Sequence, residues 1–210
     1  MKPTIAIIGA TGKAGYYITK VLMEQGYPVK ALVRNPAKLT HSSPLLTVVQ
    51  GDATQPDDIT RLLTGCTYII NAIGQPGNPA PVFSRVTSNI IQAVPQTGVL
   101  KYLLITGLSI DVAGDDKSER VQQLSAWMRE QYPELIADKQ HEYQLLEASS
   151  ISWTIVRLPV IEQTEKRYAV EVSITDCPGE KISATDIGYF LASQLESEAF
   201  IRQAPFIANK

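Results

Sequence analysis

The sequence predicts an α/β fold of the Rossmann type: a doubly wound parallel sheet, helices on both faces, and a small carboxy-terminal lobe. Three observations carry that expectation. Short runs rich in Val, Ile and Leu alternate with helical stretches, the rhythm of βαβ units. The runs are densely apolar rather than alternating, as in strands buried on both faces. A glycine run, Gly9-x-x-Gly12-x-x-Gly15, separates the first strand from the first helix, where a nucleotide-binding turn falls in such folds.

The strands are expected at 4–8, 28–33, 45–50, 67–73, 99–106 and 152–158. A helix from Gly12 to Gln25 carries an apolar stripe of Ala14, Ile18, Val21 and Leu22, and Gly26 stops it. Proline and serine interrupt residues 35–44, leaving room for a helical turn or two. Pro56-Asp57-Asp58 suits the first turn of a third helix that Gly65 ends. A Pro/Gly loop at 75–81 precedes a helix over 82–94, and a second loop at 107–118 precedes helices over 118–130 and 134–149. Beyond the sixth strand, "RYAVEVSI" reads as a further strand. Ser183-x-x-Asp186 reads as a capping box opening a helix to Glu196, and "FIRQAPFIA" closes the chain. One domain over 1–210 accounts for this pattern: a cofactor-binding core over about 1–158 and a substrate-side segment over about 159–210.

With 44% hydrophobic and 19% charged residues, the 210-residue chain can bury a core. A net charge of −2 gives no basic field for nucleic acid. Cys66 and Cys177 have no metal-ligand spacing and are expected as reduced thiols. No run reaches membrane-spanning length and no signal-peptide pattern precedes the first strand, so a cytoplasmic protein is expected.

Each glycine has a physical use. Gly9 turns the chain off the strand, Gly12 leaves the backbone bare where a pyrophosphate approaches a helix N-terminus, and Gly15 permits close helix–strand packing. Thr11 adds a hydroxyl, Lys13 a charge, and Ala14 a small first-turn residue. The spacing is not that of a mononucleotide loop. At the end of the second strand, where an NAD site offers an acid, stands Arg34, with Asn35 and Lys38 beside it. A guanidinium can bind a 2′-phosphate and stack on adenine, so NADP(H) is expected over NAD(H).

Seven blocks occur in order: "GATGKAG", "LVRNP", "GDATQPDDI", "NAIG", "YLLITG", "DKQHEYQLLEASSISWTIVRLP" and "ISATDIGYFLASQL". Together they resemble the atypical short-chain dehydrogenase/reductase group of NAD(P)H-binding proteins over essentially the whole chain. That group includes NmrA-like proteins, the flavin reductase/biliverdin reductase B type and NADPH:quinone reductases. The resemblance implies that Asp52 and Ala53 flank the adenine, although Asp52 equally suits a cap on the strand-end turn. It also implies that Ala72, Ile73 and Gly74 line the ribose of the nicotinamide half, and that Pro159 and Val160 lie beside its carboxamide. Arg157 is expected to pin the sheet's carboxyl edge by pairing rather than to touch substrate.

The same resemblance places Lys139 at the family lysine, but the residue four positions earlier is Leu135 rather than the tyrosine that protonates an alkoxide. Tyr132 and Tyr143 have the wrong spacing. The family's paired serines read Thr106-Gly107, with Ser109 beyond. Thr106, Ser109 and Lys139 are therefore the candidate catalytic residues; Thr106 orients a carbonyl or satisfies a strand end, and Lys139 binds ribose or is a solvated helix lysine. His141 points to another helix face. Two functions follow. One is an NADPH reductase of quinones or flavins, which accept hydride without a protein phenol, with Pro76, Pro81 and Phe83 as wall residues. The other is a non-catalytic NADP(H) sensor reporting to a protein partner. A nucleotide-sugar epimerase or dehydratase is more distant. A monomer or homodimer fits either of the first two.

Overall fold

The computed structural model describes residues 2–74 and 80–210. Its main sheet has eight strands in the order β3-β2-β1-β4-β5-β6-β10-β8. These are β1 (Ile5–Ile8), β2 (Val29–Val33), β3 (Leu46–Gln50), β4 (Tyr68–Asn71), β5 (Lys101–Gly107), β6 (Trp153–Leu158), β8 (Val170–Ser173) and β10 (Phe206–Asn209). All neighbours pair in parallel except β8, which runs antiparallel to β10. A separate parallel pair joins β7 (Val160–Glu162) to β9 (Lys181–Ser183). The helices are α1 (Lys13–Glu24), α2 (Pro56–Leu63), α3 (Phe83–Thr97), α4 (Glu119–Gln131), α5 (Pro133–Ala148) and α6 (Ala184–Gln194).

Strand period two and helix period 3.6 divide the core into two layers. Ile5 and Ile7 of β1 face a layer with Ile18 and Leu22 of α1 and Ile187 and Leu191 of α6. Ala6 and Ile8 face the opposite layer, with Leu62 of α2, Val86 and Ile90 of α3 and Leu146 of α5. The chain leaves β1 toward β2 on one side and returns to β4 on the other. The crevice above β1 and β4 is therefore the topological switch point, where such sheets bind ligands.

Four features differ from the sequence expectation. β3 is an edge strand, and none of its residues is fully buried. Helix α3 continues past Pro95 to Gly98, whose φ of +74° forms a left-handed cap. The capping box at the start of α6 is not formed. The Ser183 hydroxyl donates to the Lys166 carbonyl instead, while the Asp186 carboxylate accepts from the Tyr168 backbone N–H and the Asn209 amide. Finally, part of the segment expected as a lobe enters the main sheet, because "FIAN" supplies β10 beside β6.

Candidate cofactor and active site

The β1–α1 turn bears out the steric role of its glycines. Gly9 adopts φ +86°, and a Cβ there would lie 2.5 Å from the Ala72 carbonyl oxygen. At Gly15 a Cβ would lie 1.9 Å from the Gly9 carbonyl oxygen, so helix and turn meet backbone to backbone. Gly12 caps α1 without a side-chain hydrogen bond, and no acid occupies the first turn. In α2, by contrast, Asp57 and Asp58 fill that turn. The positive end of α1 thus lacks an internal counter-charge and suits an anionic ligand. This donor set, bare of Cβ atoms at Gly9 and Gly12, fits a pyrophosphate.

A cavity of about 520 Å³ opens at this turn. Thr11, Gly12, Lys13 and Ala14 form its near wall, Ala72, Ile73 and Gly74 follow β4, and Thr106, Lys139 and Pro159 close the far side. Ile105, Gly107, Leu158 and Ile161 also line it. Their position at strand carboxyl ends was the available sequence signal. Alternation decides the far wall: Pro159 and Ile161 line the cavity, whereas Val160 between them is 71% exposed.

A second crevice of about 350 Å³ shares Thr11, Gly12 and Lys13 and reaches Lys38. Arg34, Lys13 and Lys38 are all exposed. The side chains flanking Arg34 have internal work. Asn35 accepts from the Ala37 backbone N–H, capping a single 3-10 turn over Pro36–Lys38. Asp52 accepts from the Thr54 N–H at 2.9 Å, the turn-capping alternative for that residue. Ala53 is buried, and its carbonyl accepts from Asn89.

The Lys139 ammonium donates to the Thr106 hydroxyl at 3.2 Å and lies 4.1 Å above the Phe83 ring. Asp138, the neighbour of Lys139, accepts from the backbone N–H groups of Phe83 and Ser84 and so caps α3 from α5. Ser109 is buried but does not line the cavity, and its carbonyl accepts from Arg129. No tyrosine is among the lining residues. Tyr132 is exposed, while burial and a hydrogen bond to Glu147 push the Tyr143 phenol up to about 12. His141 is exposed. Pro81 is partly buried, and Pro76 lies outside the described residues.

Arg157 is fully buried and does pin the carboxyl edge of the sheet. Its guanidinium donates to both Asp115 oxygens, at 2.7 and 2.8 Å, and to the carbonyls of Ala204 and Ile174. The loop after β5, which begins beside Thr106, is thereby fastened to the sheet.

One buried group behind the cavity wall has no counterpart in the sequence expectation. Glu142, one turn beyond Lys139, is 1% exposed and accepts from the Thr87 hydroxyl at 2.7 Å. Burial pushes its carboxyl up to about 7, against the pull of Lys139 and Thr87. Burial likewise lowers Lys139, while Glu142 and Asp138 raise it. The folded protein therefore keeps a proton on Glu142 that an unfolded chain, with the ordinary value of 4.5, releases. That contribution to stability is complete below the unfolded value and is lost as the pH rises toward about 7. The thermal midpoint is expected to fall across this interval more in the wild type than in Glu142→Gln, measured by circular dichroism.

Among the described residues no helix is long and apolar enough to cross a membrane, and no group of three or more metal-ligating side chains occurs. Comparison with known proteins gives a consistent picture. A family model described as NAD(P)H-binding matches residues 9–198. The chain is 28% identical over 160 residues to the photosystem II assembly factor Ycf39 of Cyanophora paradoxa, covering 74% of this chain and 44% of that protein. It spans about half the length of the curated relatives it matches. An anaerobillin reductase of Escherichia coli O157:H7 has the same fold at TM-score 0.79 and 16% identity, over 98% of this chain and 97% of that one. A candidate NADH-flavin reductase of Streptococcus pneumoniae matches at TM-score 0.78 and 22% identity, over 99% of this chain and 100% of that one.

Proposed function

Because the chain belongs to the NAD(P)H-binding family, we propose that it is an NmrA-like, NADPH-dependent reductase of a flat conjugated acceptor such as a quinone or flavin. The observation that carries this reading is the cavity itself. It runs from the uncapped N-terminus of α1 to the Lys139–Thr106 pair, between apolar walls at Ile73, Leu158 and Ile161. In this reading Gly9 to Gly15 hold the pyrophosphate, Ala72 to Gly74 the ribose of the nicotinamide half, and Pro159 the carboxamide. When bound, the reduced nicotinamide supplies a hydride. The side chains exclude water, align the acceptor by apolar contact and present one hydroxyl and one ammonium to it. Quinones and flavins need no phenol to take a hydride, which matches a cavity without tyrosine.

Arg34 and Lys38 select the 2′-phosphate in this proposal, since both are exposed beyond the end of β2 and the neighbouring Asp52 is engaged at the Thr54 N–H. Titration should give tighter binding of NADPH than of NADH. Arg34→Glu should weaken NADPH binding on the order of tenfold to a hundredfold and leave NADH nearly unchanged. Equal affinities in the wild type would overturn the preference. A reduced setting belongs to the same reading, in keeping with Cys66 and Cys177 as buried free thiols.

A second reading, a non-catalytic NADP(H) sensor acting on a protein partner, is favoured by the missing phenol and by the likeness to an assembly factor. NADPH oxidation with a panel of quinones, flavins and small carbonyls separates the two. Turnover with any acceptor supports the reductase, and tight binding without turnover supports the sensor.

A further inference from the structure

A chain of buried hydrogen bonds leads from the cavity wall to Glu142. The Ile73 N–H donates to Asn71 Oδ1 at 3.1 Å, and Asn71 Nδ2 donates to the Tyr102 hydroxyl at 2.8 Å. The Tyr102 and Thr87 hydroxyls are 2.8 Å apart, and Thr87 donates to Glu142 Oε1 at 2.7 Å. Asn71, Thr87, Tyr102 and Glu142 are all buried. Thr87 has one hydroxyl proton, and it points to Glu142. The Tyr102 proton must then point to Thr87, with the Asn71 amide directed at Tyr102. Every donor is oriented toward this one carboxyl, so the bonds polarise one another and favour its charged form above about pH 7, against the burial that holds a proton on it below that. Four elements, β4, β5, α3 and α5, converge to build this arrangement.

Glu142 lies one turn from Lys139 on the same helix, and its charge favours the ammonium there. The titratable groups facing the pair are Asp138 on α5 and Tyr102 on β5. From α3 come the neutral Thr87, Phe83 and Ser84, the last bound to Asp138. We propose that Glu142 is a positioning residue: its carboxylate keeps Lys139 charged against the cavity wall, so that Lys139 and Thr106 deliver the proton that completes reduction of the acceptor. This rests on the reductase reading. After the acceptor has taken a hydride, its oxygen or nitrogen accepts a proton from Thr106 Oγ1. As that O–H bond breaks, Thr106 takes a proton from Lys139 Nζ, and the neutral amine recovers one from solvent.

The test uses the full chain without cofactor. Reductive methylation of Lys139 is followed by peptide mass spectrometry as a function of pH, because only the neutral amine reacts. Removing the carboxylate in Glu142→Gln should lower the Lys139 labelling midpoint by about one to three pH units, at least a tenfold gain in labelling at a fixed pH below both midpoints. Thr87→Val, which removes the donor to Glu142, should lower it in the same direction by less, and tests the proposal if Glu142→Gln does not fold. With NADPH and menadione, Glu142→Gln should lower kcat while KM for NADPH stays within about twofold. An unchanged labelling midpoint in a folded variant overturns the role of Glu142 whatever the turnover. Failure of the wild type to reduce any acceptor overturns proton delivery together with the reductase reading, and the labelling shift then reports the charge coupling separately.

Discussion

Gly15→Ala is expected to abolish measurable NADPH binding and to destabilise the fold. The added Cβ would sit 1.9 Å from the Gly9 carbonyl oxygen and 2.7 Å from its carbon, and both are backbone atoms. A flexible neighbour could swing aside, but here α1 must slide along β1 or the turn must open. Either movement separates the first-turn N–H groups from the turn they share. Overpacking of this kind costs about 1–3 kcal/mol, and the displaced N-terminus loses its aim at an anion. Gly12→Ala provides the contrast. Its Cβ would lie 3.2 Å from the Gly9 oxygen, a contact that a few tenths of an ångström relieve. Gly12→Ala should therefore weaken NADPH binding with a smaller loss of stability. Calorimetric titration and urea denaturation of both variants check this, and wild-type binding by Gly15→Ala would refute the steric argument.

Arg157→Met should cost about 3–5 kcal/mol in urea denaturation, the range for breaking a buried ion pair from one side. The guanidinium is fully buried, donates to Asp115 in a bidentate pair, and stacks 3.5 Å over the Phe206 ring. Its removal leaves the Ala204 and Ile174 carbonyls without this donor and leaves Asp115 with Lys117 at 3.5 Å and the Val112 N–H at 3.0 Å. Adding Asp115→Leu should recover part of the loss, since the stranded carboxylate is then gone, but not the carbonyl interactions. Because Asp115 fastens the loop after β5, acceptor KM is expected to rise in Arg157→Met more than NADPH affinity falls. A variant as stable as the wild type would show that the pair contributes nothing net.

Much of the site could be read along the chain because its parts are local. A glycine that must accept φ +86°, a helix without an acid in its first turn, and an arginine at a strand end are properties of neighbouring residues. Strand ends were also predictable, and the family resemblance implied the roles of Ala72 to Gly74, Thr106 and Pro159, which line one cavity at the carboxyl ends of the strands. Sequence reasoning failed where a local pattern had a non-local competitor. Ser183 and Asp186 have capping-box spacing, yet Lys166, Tyr168 and Asn209 reach them first. Val160 follows a cavity residue directly and faces away because the strand alternates.

The sequence by itself determined the fold class, through the order of strands and helices and the glycine turn, and seven ordered blocks carried the resemblance to the family. The fold class depends on hydrophobic period and on backbone conformations that single residues permit. Only the tertiary structure decided which side chains meet. Leu135 in place of a tyrosine told of a missing phenol but not of what stands near the cavity. Glu142 emerged as a group of interest because Asn71, Tyr102 and Thr87, separated by 31 and 15 positions at their contacts, converge on it in the dry interior. Burial and hydrogen-bond direction give that carboxylate its chemistry, and both exist only once the chain has folded.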